Sequence, residues 1–141
     1  MGEGLLSVDG SPARRLGDSA DDFRSALFED AGLERRGAAL FLGGVRVSEI
    51  AAAVGTPAYV YNAETIRRQY RRLDLAFGPI PHRICYAVKA NGNLAVLRIF
   101  RDLGAGADIV SGGELERVLA AGFPADRVVF SGVGKSPAEL E

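Results

Sequence analysis

Residues 83–104, RICYAVKANGNLAVLRIFRDLG, decide the fold class. The apolar, β-prone run 83–89 predicts a strand, and the Asn-Gly pair after it predicts a turn. A helix is then expected from near Asn93, because Val96, Leu97, Phe100 and Leu103 fall on one face. Gly104 is a typical C-terminal stop. This segment is therefore a strand, a turn and a helix, which is the building block of an α/β protein.

The same pattern recurs on both sides of this segment. Strands are predicted at 58–62, 107–110 and 127–132, and helices follow the first two of them, with Ile66, Tyr70, Leu73 and Phe77 on one face of the earlier helix. Strands that alternate with helices every 20 to 25 residues or so indicate βαβ units around a parallel sheet. Since a closed (β/α)₈ barrel needs about 250 residues, the chain could hold about half of one, whereas an open doubly wound sheet would nearly fit. Ser136, Pro137 and Glu139 form a cap, a first-turn proline and a capping-box glutamate, which predict the start of a further helix. We therefore expect the protein to continue past Glu141.

The amino-terminal residues have a different texture. Residues 1–38 are rich in Gly, Ser, Asp and Arg, with one weak helical patch, and are interpreted as a flexible leader. From residue 39, ALFLGGVRV predicts a strand with a central glycine break and VSEIAAAVG a short helix that ends at Gly55. The predicted domains are thus a leader, 1–38, and a partial barrel, 39–141.

Composition excludes several classes of protein. The chain has 141 residues, 48% of them hydrophobic, and a net charge of -1. This balance gives no electrostatic case for binding nucleic acid. No signal-peptide core or bilayer-spanning run is present, so a cytoplasmic protein that makes no membrane contact is expected. With Cys85 as the only cysteine, an internal disulfide or a cysteine-rich metal site is excluded, and no metal is expected.

Lysine usage marks a candidate for amine chemistry. The chain has fifteen arginines but only two lysines, Lys89 and Lys135. Arginine cannot lose its proton in a protein, whereas a desolvated lysine can become a nucleophile. Lys89 stands at the carboxyl end of a predicted strand, where α/β proteins gather their chemistry, and Asp108 belongs to the next strand. For each residue alone, a solvated rim position or a surface ion pair is the commoner role.

The other motifs in the sequence are weaker indications of function. GVGKS at 132–136 lacks the first glycine of a phosphate-binding P-loop, and LGAGADI lacks the third glycine of a dinucleotide fingerprint, so a nucleotide-binding module has little support. SGGE at 111–114 follows a strand and could hold an anion, but Ser111 and Glu114 also form a capping box. His82 precedes its strand, which indicates a surface loop residue.

The motifs as a set resemble a known family. YAVKAN, then LGAGADIVSGGELERVLAAGFPADRVVFSGVGKSPAEL, together with the earlier GTPAYVYNAETIRRQYRRL, is similar to the amino-terminal part of diaminopimelate decarboxylases, which are fold type III, alanine-racemase-like enzymes dependent on pyridoxal 5′-phosphate. The resemblance implies an aldimine between the cofactor and Lys89, a small Ala87 beside the cofactor ring, and Asp108 near the cofactor. It assigns no direct contact to Asn91 or Glu114.

The resemblance also implies the rest of the protein. It predicts the amino-terminal half of a (β/α)₈ barrel, with ALFLGGVRV joining a β domain outside this chain, and a homodimer that converts meso-diaminopimelate to L-lysine in lysine biosynthesis. The 141-residue chain alone is expected to be inactive. Another substrate, such as arginine, ornithine or a carboxylated polyamine, and a non-catalytic barrel homologue that binds partners both stay open. An alanine racemase is disfavoured because Gly92-Asn93-Leu94 follows the lysine motif.

Overall fold

The structure is a computed structural model that describes residues 28–140. The chain divides into two compact units, 1–76 and 77–141. Most of the predicted leader, residues 1–27, lies outside the described residues. The two units are taken in turn.

The described part of the first unit begins with a small antiparallel sheet. Its strands are β1 (Leu33–Arg36), β2 (Ala39–Leu42) and β3 (Val45–Arg46), paired in the order β1-β2-β3. The glycine break predicted in ALFLGGVRV is a hairpin turn, because Gly43 and Gly44 both adopt positive φ angles of 57° and 83°. Helix α1 (Val47–Val54) follows and ends at Gly55, as predicted.

Strand β1 was not predicted, since it lies inside the segment interpreted as a leader. Its sequence, LERR, is mostly charged and has no apolar alternation to reveal it. Pairing with β2 stabilises it, and the guanidinium carbon of Arg36 lies 4.7 Å from the centre of the Phe41 ring on that neighbour. Residues 33–36 therefore belong to the sheet and not to a leader.

Helix α2 (Ala63–Phe77) begins where the sequence predicted it. Asn62 Oδ1 accepts a hydrogen bond from the Glu64 amide at 3.0 Å, which caps the first turn. The strand predicted at 58–62 is wrong for the described chain: these residues join no strand ladder, and Tyr59 is 93% exposed. A strand needs a neighbour to satisfy its backbone groups, and the described residues supply none here.

The second unit contains the parallel sheet. Its strands β4 (Cys85–Ala87), β5 (Gly106–Ile109) and β6 (Val128–Phe130) pair in chain order, each parallel to the next. Helix α3 (Leu94–Asp102) connects β4 to β5, helix α4 (Gly112–Ala120) connects β5 to β6, and the short α5 (Pro137–Leu140) follows. The predicted βαβ repeat is present, with strands shorter than the sequence indicated.

One face of this sheet is covered by helices and the other is not. The covered face packs on α3 and α4 to form the core, whose buried members include Val88, Leu97, Ala107, Ile109 and Val118. Because side chains alternate along a strand, the residues between the core positions point to the opposite face. There Ala87, Asp108 and Val129 lie side by side across the three strands, and Val129 is 47% exposed. No helix among the described residues of this unit covers that face.

Candidate functional site

The carboxyl ends of the three parallel strands meet at one edge of the sheet. Lys89 follows β4 there, the turn Val110–Gly112 follows β5, and Ser131-Gly132 follows β6. In α/β proteins this is the edge at which ligands bind. The structure therefore brings the predicted lysine and the turn after Asp108 to a common edge.

The sequence predicted Lys89 as the last residue of a strand. In the structure the strand ends at Ala87, and Lys89 lies in a single 3₁₀ turn, Val88–Ala90. Val88 is 1% exposed and anchors the turn in the core, while the Asn91 amide donates to the Val88 carbonyl at 3.0 Å. The Tyr86 hydroxyl donates to the Asn91 carbonyl at 3.3 Å. The backbone around the lysine is thus fixed from both sides, which gives its side chain a defined starting point.

The Lys89 side chain itself is exposed and makes no ion pair or hydrogen bond with any residue that the structure describes. Its ammonium is therefore not committed to a structural role there. Lys135, the other lysine, lies with Nζ 5.4 Å from the centre of the Phe130 ring. The two lysines of the chain differ in that only Lys135 has a side-chain contact of this kind.

Asp108 lies beside Ala87 on the face opposite α3 and α4, as its direct partner in the β4–β5 register. One carboxylate oxygen, Oδ1, is buried and has no hydrogen-bond partner among the described residues. Leaving a buried acceptor unpaired costs about 1–3 kcal/mol, so such an atom calls for a partner that these residues do not include. Lys89 is two residues beyond Ala87, and the three predicted site residues therefore occupy neighbouring positions.

The turn after Asp108 is held by several hydrogen bonds. Ser111 Oγ accepts from the Glu114 amide at 3.3 Å, which is the predicted cap of α4. Glu114 Oε2 accepts from the Val110 amide at 2.7 Å, one residue before the cap and not from the cap residue itself as in a standard capping box. Glu114 thus anchors the helix start, the role that sequence analysis favoured over ligand contact.

A third carboxylate at this edge was missed by sequence reasoning. Glu139 was interpreted as part of the local start of a helix, and it does accept from the Ser136 amide and hydroxyl, both at 2.9 Å. Its other oxygen accepts from the Gly112 amide at 2.9 Å, 27 residues away in the chain. These bonds, first those from the Ser136 and Gly112 amides, lower the pKa of the Glu139 carboxyl. No local signal in the sequence could reveal the Gly112 contact.

His82 lies before β4, at the opposite end of that strand from Lys89. His82 is exposed, with Nδ1 2.8 Å from the Ile80 carbonyl oxygen and its ring stacked on Phe77. Within residues 28–140, no group of three or more His, Cys, Asp or Glu side chains is arranged to hold a metal ion. Over the same span, no helix has both the length and the apolar character that crossing a bilayer requires.

Comparison with known proteins places this arrangement in a family. Residues 63–141, more than half of the chain, match the family model described as "Pyridoxal-dependent decarboxylase, pyridoxal binding domain". The chain belongs to the pyridoxal-dependent decarboxylase family. The matched segment includes Lys89, Asp108 and the whole parallel sheet.

Within the family, the chain is similar to diaminopimelate decarboxylases. Diaminopimelate decarboxylase of Pseudomonas fluorescens is 57% identical over 105 residues, which are 74% of this chain and 25% of that protein. A crystal structure of diaminopimelate decarboxylase from M. jannaschii superposes with a TM-score of 0.76 at 36% identity, covering 80% of this chain and 28% of that one. Another, in complex with L-lysine, gives 0.70 at 33% identity, with 79% and 27% covered. The chain spans about a quarter of the length of the curated relatives it matches.

These matches confirm two predictions. The resemblance to the amino-terminal part of diaminopimelate decarboxylases is correct, and so is the fold class, part of an α/β barrel with a parallel sheet. The roles of Lys89, Ala87 and Asp108 toward a cofactor remain predictions.

Proposed function

We propose that the protein containing this chain decarboxylates meso-diaminopimelate to L-lysine with pyridoxal 5′-phosphate, which Lys89 holds covalently. The observation that carries the proposal is an uncommitted lysine beside an unpaired buried carboxylate, at the carboxyl edge of a parallel sheet. The family model that matches these residues is a pyridoxal binding domain. The names of the relatives, and the L-lysine complex of one, support the substrate and the product.

The residues at this edge fit the cofactor. An amine that makes no structural contact is available for a covalent bond to an aldehyde, and Lys89 is such an amine. A buried acceptor without a partner is available for a donor on a bound group, and Asp108 Oδ1 is such an acceptor. Ala87 between them carries only a methyl group, which leaves the strand surface open to a flat ring.

Pyridoxal phosphate supplies an electron sink for the charge left when carbon dioxide departs. The chain supplies the attachment and its surroundings. Lys89 Nζ must lose its proton to act as a nucleophile, which explains a lysine at this position in a chain with fifteen arginines and only two lysines. The four-carbon stem of Lys89 lets the amine move aside while Val88 keeps the turn in the core. Asp108 places its carboxyl group at a fixed position on the neighbouring strand.

Two further features belong to the proposal. The resemblance implies a homodimer whose active sites are completed by residues outside this chain, and a cytoplasmic location. The residues that select the substrate lie outside this chain, and the names of the relatives support the substrate.

An assay on the protein at its native length tests the proposal. With pyridoxal phosphate present, meso-diaminopimelate should yield carbon dioxide and L-lysine in equal amounts. Lys89→Ala and Lys89→Arg should both abolish the reaction, since neither side chain provides an amine that can deprotonate. Lys135→Ala is the matched control and should retain activity, because its contact is with an aromatic ring.

Three results would contradict the proposal. Full activity in Lys89→Ala would remove Lys89 from the site. Turnover of ornithine or arginine in place of diaminopimelate would replace the substrate and keep the cofactor chemistry, and a protein inactive on all three would favour the non-catalytic homologue.

A further inference from the structure

The turn after Asp108 is tied to the next βα unit by Glu139. Glu114 and Ser111 fix the turn from within its own helix. Glu139 reaches it from α5, across the edge of the sheet, and its carboxylate bridges two turns by accepting from Gly112 on one side and from Ser136 on the other. The bridged turns are those that follow β5 and β6.

A second contact brings the same two turns together. Gly132, after β6, approaches Val110 so closely that a Cβ at position 132 would lie 2.7 Å from the Val110 carbonyl oxygen. The Ser131 amide extends the ladder by donating to the Ile109 carbonyl at 2.9 Å. The turn after Asp108 thus lies against the β6 turn, and the Glu139 carboxylate is a charged group that joins them.

The Glu139 carboxylate is an anion bound at the amino-terminal end of helix α4. The Gly112 amide is the first of α4, where unpaired backbone donors and the helix dipole favour a negative charge. Glu139 Oε1 accepts a hydrogen bond from that amide at 2.9 Å, and Oε2 accepts hydrogen bonds from the Ser136 amide and hydroxyl. The carboxylate accepts three charge-assisted hydrogen bonds, which are the stronger kind.

We propose that Glu139 is a positioning residue: it bridges the turns after β5 and β6 and so holds Asp108 in register with the lysine-bearing turn for cofactor binding. The inference rests on the proposed function, in which Asp108 and Lys89 contact the cofactor. Asp108 lies two residues before Val110, in the strand that pairs with the Lys89 strand. Displacing the turn would shift Asp108, and misplacement of about 1 Å at a site is enough to cost a large factor in binding or rate.

The test uses three variants of the native-length protein and measures the dissociation constant of pyridoxal phosphate by fluorescence. Glu139→Ala should raise that constant by roughly tenfold or more. Glu139→Gln, which keeps one acceptor oxygen, should lie between the wild type and Glu139→Ala. Glu116→Ala is the matched control, since Glu116 is an exposed glutamate of α4, the helix whose first amide Glu139 binds, and has no hydrogen bond or ion pair with any described residue.

Chemical rescue distinguishes positioning from a general loss of structure. Formate carries the carboxylate that Glu139→Ala lacks and can accept from the vacated amides. Added formate should restore most of the cofactor affinity of Glu139→Ala and leave Glu116→Ala and the wild type unchanged. Sodium chloride at the same ionic strength should restore less.

The outcomes separate this inference from the function it rests on. If wild type binds the cofactor and Glu139→Ala binds it as well as Glu116→Ala does, the positioning role is wrong and the proposed function stands. Weak binding by Glu139→Ala that formate does not improve would also overturn the positioning role. If wild type binds no pyridoxal phosphate, the proposed function fails, and this inference fails with it.

Discussion

Replacing Asp108 with alanine should stabilise the protein without cofactor and weaken its binding of cofactor. Asp108 Oδ1 is buried with no partner among the described residues, a condition that costs about 1–3 kcal/mol. Alanine removes the acceptor, so the free energy of unfolding of the cofactor-free protein should rise by up to that amount. A hydrogen bond to a charged group contributes about 1.5–3 kcal/mol, and losing it should raise the dissociation constant of pyridoxal phosphate by roughly 10- to 150-fold.

A rise in stability without cofactor together with weaker cofactor binding indicates that Asp108 serves binding and not the stability of the fold. Urea denaturation of the cofactor-free protein gives the first quantity and a fluorescence titration gives the second. Asp126→Ala is the control: Asp126 is an exposed aspartate before β6, so both quantities should stay within about 0.5 kcal/mol of wild type. If Asp108→Ala instead lowered the stability of the cofactor-free protein, Oδ1 would have a structural partner, and its assignment to the cofactor would be refuted.

Three further changes test the fold around the site. Leu97→Ala should lower the free energy of unfolding by about 2–5 kcal/mol in urea, because Leu97 is 0% exposed, whereas Leu119→Ala, at 47% exposed, should cost much less. Gly106→Ala should destabilise by about 1–3 kcal/mol, since its Cβ would lie 2.7 Å from the Arg127 carbonyl oxygen, just before β6, and 2.7 Å from the Cys85 sulfur in β4. Gly113→Ala, with open space at that position, should be neutral or stabilising in the same assay. The lowered pKa of Glu139 stabilises the fold at pH values above 4.5, the ordinary pKa of a glutamate carboxyl. This contribution should vanish as the pH falls through the pKa of Glu139 in the folded protein. When the urea midpoint is measured against pH, Glu139→Gln should lack this pH-dependent contribution.

Local patterns predicted the helices well. The sequence predicted a helix start near Asn93 and a cap at Ser111, and in the structure each side chain accepts from the amide two or three residues ahead. Apolar spacing identified Val96 and Leu97, which are buried in the core. These features depend on residues within one or two turns of each other, so the sequence carries them directly.

What the sequence did not predict depends on distant partners. The charged strand β1 exists because β2 pairs with it, and the segment 58–62 forms no strand because no described neighbour pairs with it. Within the site, Lys89 and Asp108 were found from chemistry and resemblance, but the contact between Glu139 and Gly112 spans 27 residues. Pairings of that kind arise only when the chain has folded.

Borohydride reduction of the native-length protein incubated with pyridoxal phosphate, followed by peptide mapping, tests the central claim most directly. Reduction converts covalently bound pyridoxal into a stable pyridoxyl adduct, whose mass identifies the modified residue. One adduct is expected, on Lys89, and none on Lys135. An adduct on Lys135, or on neither lysine in a folded protein offered excess cofactor, would contradict the covalent role of Lys89.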